Sequence, residues 1–137
     1  MISLLDTVVI SQRIKPNPDE GVMRWLSQLH EEEAFLSVVT LQELRTGVEL
    51  LPAGRKRRDI ESWLTSGVRQ RYAGRILPIT EESANECGRL IARGKLQGAL
   101  PETNDALLAA TALVHGLQIA TLNRKHFERL GVKLADF

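Results

Sequence analysis

Ile2-Ser3-Leu4-Leu5-Asp6 decides how the rest of the chain is read. A short apolar run is too brief for a helix and suits a strand buried on both faces. It ends in a carboxylate. Phe35-Leu36-Ser37-Val38-Val39 repeats the pattern, with Glu43 shortly beyond it. Asp105 stands just before the small-residue stretch Ala106-Leu107-Leu108-Ala109-Ala110. Carboxylates at the ends of core elements differ from scattered ones, because a parallel sheet brings such ends together. Together they repel one another unless a cation sits among them, so a magnesium or manganese site is the leading expectation.

Strand and helix patterns alternate outward from this opening. Strands are predicted at 2–5, 34–38, 75–79 and 118–121, with a fifth at 132–135. Helices are predicted from 8–13 (broken by Lys15-Pro16-Asn17-Pro18), 19–29, 40–51, 55–72, 82–97, 105–115 and 124–130. Val22, Trp25, Leu26 and Leu29 recur at helical spacing, as do Ile60, Trp63, Leu64 and Val68. Gly116 is an expected left-handed helix end. The alternation predicts one α/β domain over 1–137, a three-layer α/β/α sandwich around a mainly parallel sheet of about five strands. Sites in such sheets form beyond the carboxyl ends of the strands. Asp6 and Asn123 follow strands directly, and Glu43 and Asp105 lie on helices whose starts can face the same crevice.

Composition narrows the class. With 137 residues, 43% of them hydrophobic and 26% charged, the chain can build one real core. A net charge of +1 confines any nucleic-acid footprint to a local patch. Cys87 is the only cysteine, which excludes an internal disulfide and fits a reducing compartment. Cys87 with His30, His115 and His126 draws no zinc site. Asp6 interrupts the apolar start, so no signal peptide is read, and no run spans a bilayer. The expectation is a soluble cytoplasmic protein.

Each acid also has a purely structural reading. Thr40-Leu41-Gln42-Glu43 matches a helix capping box. Asp105 gains from a helix dipole, roughly 0.3–1 kcal/mol. Asp6 opens a turn, Asn123 caps a helix, and Glu102 is an exposed loop charge. Taken together, the acids suit a hard cation that keeps several waters. Water beside such a cation loses a proton more easily and attacks phosphorus in line. Arg55-Lys56-Arg57-Arg58, with Arg69, Arg71 and Arg75, is the densest basic region. It reads as an RNA footprint or as a solvated, self-paired helix face. Trp25 and Trp63 lie on apolar stripes and read as core.

Leu4-Leu5-Asp6-Thr7, Ser37 through Gly47, Gly74-Arg75-Ile76-Leu77-Pro78, Asp105 through Ala112, and Ala120-Thr121-Leu122-Asn123 occur in the order of a known family. The chain resembles the PIN-domain ribonucleases, above all the VapC/FitB-like toxins of bacterial toxin–antitoxin pairs. The resemblance implies an endoribonuclease dependent on Mg2+ or Mn2+. It places metal-holding acids at Asp6, Glu43 and Asp105 and the fourth site position at Asn123, with Thr7 and Thr121 in support. It further implies an RNA substrate, a homodimer, and a cognate antitoxin whose tail lies in an apolar groove and whose arginine enters the acidic site. Helices 19–29 and 40–51 are the groove candidates. The chain departs from the family pattern at Val8, Gln12 and His126, where polar or acidic residues are usual. A catalytically weak PIN domain that binds RNA or antitoxin is the alternative. An aspartyl phosphoryl-transfer protein is disfavoured by Val8 two residues after Asp6. A dinucleotide-binding enzyme is disfavoured because no G-x-G-x-x-G follows the first strand.

Overall fold

A computed structural model describes residues 2–137 of the chain. Four strands form its sheet: β1 (Ser3–Leu5), β2 (Ala34–Ser37), β3 (Ile76–Leu77) and β4 (Gln118–Ala120). Their order is β3-β2-β1-β4, and every pairing is parallel. Register is set by Leu4 opposite Phe35 on one side and Ile119 on the other. The expected fifth strand at 132–135 is reduced to one parallel bridge, Ile119 to Leu134. The chain there runs beside β4 too briefly to build a ladder.

Helices cover both faces. They are α1 (Thr7–Ser11), α2 (Glu20–Gln28), α3 (Val38–Leu50), α4 (Arg55–Ser62), α5 (Arg69–Arg71), α6 (Glu81–Leu96), α7 (Thr103–His115) and α8 (Arg124–Glu128). The two-residue period of the strands sorts their side chains between two cores. Leu5, Leu36 and Ala120 pack with Val9, Ile10, Leu26, Leu44 and Val48 on the face of α1 to α3. Leu4 and Ile119 pack with Leu90, Ala109 and Phe127 on the face of α6 to α8. The result is a three-layer α/β/α fold. Trp25 and Trp63 lie half-buried against the first core, as their helical stripes predict.

Several boundaries move for local reasons. The helix expected at 55–72 runs as α4, a π-helical stretch at Trp63–Val68, and α5. α3 begins two residues earlier than Thr40, because the Ser37 side chain accepts the Val39 N–H at 3.0 Å and caps the helix. Ser37→Ala is expected to destabilise the fold by about 1 kcal/mol, read as a lower urea midpoint at unchanged slope. α7 ends at Gly116, left-handed at φ 68°, with Leu117 N–H donating to Ala112 O at 2.8 Å. That closure turns α7 straight into β4. The start of α7, with Asp105, therefore lies at the carboxyl end of the sheet. No described helix is long and apolar enough to cross a membrane.

Candidate active site

The strand order reverses at β1: β2 and β3 extend to one side and β4 to the other. The backbones of β1 and β4 part just beyond their paired ends, the usual place for a ligand crevice. Asp6 follows β1 directly. Its N–H donates to Ala120 O at 2.9 Å, so the main chain itself fixes its position beside β4.

Asp6 is 5% exposed. Oδ1 accepts the Thr7 N–H at 2.6 Å and so caps α1. Oδ2 accepts the hydroxyl of the fully buried Thr121 at 2.7 Å. Burial pushes the Asp6 carboxyl above the ordinary carboxylate value; the bonds from Thr121 and Thr7 oppose this, and the charges of Glu43 and Asp105 add to it. The turn reading of Asp6 is thus half right: it caps a helix with one oxygen and stays desolvated beside two other acids.

Glu43 is not the partner in a capping box. Ser37 takes the N-cap position, so Thr40 lies inside α3. Instead the Thr7 hydroxyl donates to Glu43 Oε1 at 2.6 Å and lies 3.4 Å from the Thr40 hydroxyl. One line of contacts therefore runs Thr121–Asp6–Thr7–Glu43, across residues far apart in the chain. Thr40 is a member that the sequence hid behind the capping-box pattern.

Asp105 stands in the first turn of α7, half-buried. The helix dipole favours its charge, but its carboxyl is still pushed upward, first by burial and then by Glu102. His126 works against that rise, its Nδ1 lying 3.2 Å from Asp105 Oδ2. His126, one of the departures from the family pattern, is exposed and faces a site acid. Glu102 is exposed as expected, yet it raises Asp105 by its charge.

Asn123 precedes α8, but its side chain makes no cap hydrogen bond. Its N–H donates to Thr121 Oγ1 at 2.9 Å, so one hydroxyl holds both Asp6 and the backbone of Asn123. Gln12 is spent elsewhere: its amide donates to Val8 O at 3.1 Å and accepts the Asp19 N–H at 2.9 Å, tying α1 to the start of α2. Among the described residues, no three Asp, Glu, His or Cys side chains stand together as a ready-made metal cage. The donor set itself is hard oxygen, and its mutual repulsion is what a divalent cation relieves.

The basic region 55–75 is paired in part. Arg57 bonds Glu49 at 2.9 Å, Arg71 bonds Glu31 at 3.0 Å, and Arg75 donates to the carbonyls of Glu31, Ala34 and Arg71. The self-paired reading holds for these three.

Known proteins share both the fold and the sequence. The PIN domain model matches residues 3–133. A VapC ribonuclease of Sinorhizobium fredii is 35% identical over 133 residues, spanning 97% of this chain and 95% of the relative. Toxin FitB of Neisseria gonorrhoeae is 39% identical over 124 residues, 90% of this chain and 89% of the toxin. The crystal structure of FitAcB from the same organism superposes with a TM-score of 0.92 at 36% identity, covering 98% of this chain and 97% of that one. With a model match across nearly the whole length and relatives 35% and 39% identical over most of their own length, the chain belongs to the PIN domain family.

Proposed function

We propose that the chain, residues 1–137 acting as one PIN domain, is a metal-dependent endoribonuclease and the toxin of a toxin–antitoxin pair. The observation that carries this reading is the contact line Thr121–Asp6–Thr7–Glu43 at the β1/β4 switch point, with Asp105 close enough for its charge to act on Asp6. The names of its relatives support it: a VapC ribonuclease, the FitB toxin, and FitAB solved on a DNA fragment at 34% identity.

Asp6, Glu43 and Asp105 would hold Mg2+, or Mn2+ in its place, directly or through water. When bound, such a cation would make a coordinated water more acidic and would offset negative charge developing on the phosphate. The residues do the rest. Thr121 and Thr7 hold Asp6 by hydrogen bonds to both oxygens, so its lone pairs keep a fixed direction. Thr7 fixes Glu43 in the same way. Asn123, its backbone anchored on Thr121, orients water at the rim. Burial of Asp6 strengthens every electrostatic contact in the crevice. No side-chain nucleophile is required.

The partners are those that the likeness to the VapC and FitB toxins and their complexes suggests. RNA is the substrate. A cognate antitoxin inserts an arginine among the three acids, a fork of donors matched to carboxylates. The toxin acts in the cytoplasm as a homodimer. An RNA cleavage assay with Mg2+, Mn2+ and chelator in parallel tests the reading. Cleavage is expected with either metal and none with chelator, and expression is expected to arrest bacterial growth until the antitoxin is supplied. Metal-independent cleavage would overturn the mechanism. Absence of cleavage with retained RNA or antitoxin binding would make the chain a binding module.

A further inference from the structure

A cavity of about 430 Å³ opens beside Asp105, within the roughly 300–1,000 Å³ range of ligand sites. It lies between the end of α6, the loop at 97–101, the start of α7, and α8. Three chemistries divide its wall. Glu102, Asp105 and His126 form the side shared with the acidic crevice. Leu90, Leu100 and Leu130 give apolar surface. Arg93 and Arg129 bring two guanidinium groups, and Gln97 a neutral amide. Neither arginine is in an ion pair among the described residues, whereas Arg57 and Arg71 of the basic region at 55–75 are.

The wall is built by a close approach. A Cβ on Gly94 would lie 2.6 Å from both Ala99 O and Pro101 Cδ. Only glycine lets the loop settle on α6, where Ala99 N–H donates to Gly94 O at 2.8 Å. That strap holds Leu100 and Pro101 along the cavity.

We propose that this cavity is a nucleotide subsite, which seats the RNA residue next to the bond being cut and takes its phosphate on Arg93 and Arg129. The inference rests on the ribonuclease reading. Continuity with Asp105 sets the position: a strand with its scissile phosphate at the acids continues across this wall. Charge sets the occupant. Two arginines without carboxylate partners suit the next phosphate, an apolar wall suits a base face, and Gln97 presents a donor and an acceptor to a base edge. Single-stranded RNA offers all three together, since its bases are free to splay outward.

The test uses the full chain and a fluorescein-labelled single-stranded RNA of about a dozen nucleotides. Anisotropy with chelator present reads binding without cleavage. Arg93→Ala/Arg129→Ala is expected to raise Kd about 10-fold and to flatten the salt dependence of binding by about 0.7 in log–log slope, the share of the one phosphate left without its arginines. In the cleavage assay KM rises while kcat stays near the wild-type value. Arg93→Lys/Arg129→Lys restores most of the affinity. Gln97→Ala shifts the nucleotide preference beside the cut. Gly94→Ala, which displaces the wall without changing charge, weakens binding as well. Should it fail to fold, the arginine pair, exposed on the surface, still decides. A folded arginine double variant with unchanged Kd, KM and cleavage pattern overturns the subsite and leaves the ribonuclease standing. A wild type that cuts no RNA overturns the ribonuclease reading, and the binding arm still judges the cavity. Loss of antitoxin binding with RNA affinity intact reassigns the cavity to protein and overturns the proposal.

Discussion

Asp6→Asn is expected to lower RNA cleavage at least about 10³-fold, a loss of about 4 kcal/mol of transition-state stabilisation, and at the same time to raise the melting temperature of the metal-free protein. Both effects come from one carboxylate. Asn keeps the helix cap, because its carbonyl still accepts the Thr7 N–H, and its amide can donate to Thr121 Oγ1. What it loses is a negative charge held in a desolvated place near Glu43 and Asp105. Removing that charge is worth on the order of 1 kcal/mol of stability, the usual scale when a functional site is relaxed.

The pH dependence fixes the sign. Asp6 in the folded chain is pushed above its ordinary value of 3.8. Between that value and the raised one, the folded chain keeps a proton that the unfolded chain has released. Stability therefore falls as pH rises through this window, then levels off. Asn does not titrate, so its advantage is full at neutral pH and vanishes below about pH 3.8. Added Mg2+ is expected to reverse the order, stabilising the wild type by about 2.7 kcal/mol at a hundred times its Kd and the variant far less. Thermal melts of both proteins at pH 3.5 and 7.5, with and without Mg2+, check all three statements. Cleavage that persists in Asp6→Asn would remove Asp6 from the chemistry. An unchanged melting temperature at neutral pH would mean that its burial is not a strain.

Sequence patterns carried the layers well, because each rests on local physics. The strand alternation that sends Leu4 to one core and Leu5 to the other is visible in the letters. So is the stop at Gly116. The fifth strand failed because 132–135 has strand-like residues but too little neighbour to pair with, a property of the sheet edge rather than of the segment. Glu43 was ambiguous for a similar reason. The T-x-x-E pattern is a real capping signal, and only the competing Ser37, reaching forward from the end of β2 to Val39 N–H, makes Thr40 an interior residue. His126 beside Asp105, and the unpaired arginines at the end of α6 and after α8, depend on how α6, α7 and α8 pack. No spacing rule links 93, 105, 126 and 129. The densest basic run drew attention by composition, yet three of its members bond to their own protein.

Thr121→Val is expected to destabilise the chain by about 1–3 kcal/mol and to move the acid limb of the cleavage profile to higher pH. Val copies the shape of Thr121 and removes only the hydroxyl. That hydroxyl is fully buried, donates to Asp6 Oδ2 at 2.7 Å and accepts the Asn123 N–H at 2.9 Å. Without it, a buried carboxylate oxygen loses its partner, the larger of the two penalties. The bond also favours the ionised form of Asp6, so its loss raises the Asp6 carboxyl further. Cleavage that requires ionised Asp6 then switches on at a higher pH. Thr121→Ser keeps the hydroxyl and is expected to restore the wild-type profile, while its missing methyl leaves a small packing loss. This pair separates positioning from packing: a Val variant less stable but with an unmoved acid limb would show that Thr121 only fills space. An acid limb that moves with Val and returns with Ser ties the β4 end to the ionisation of Asp6.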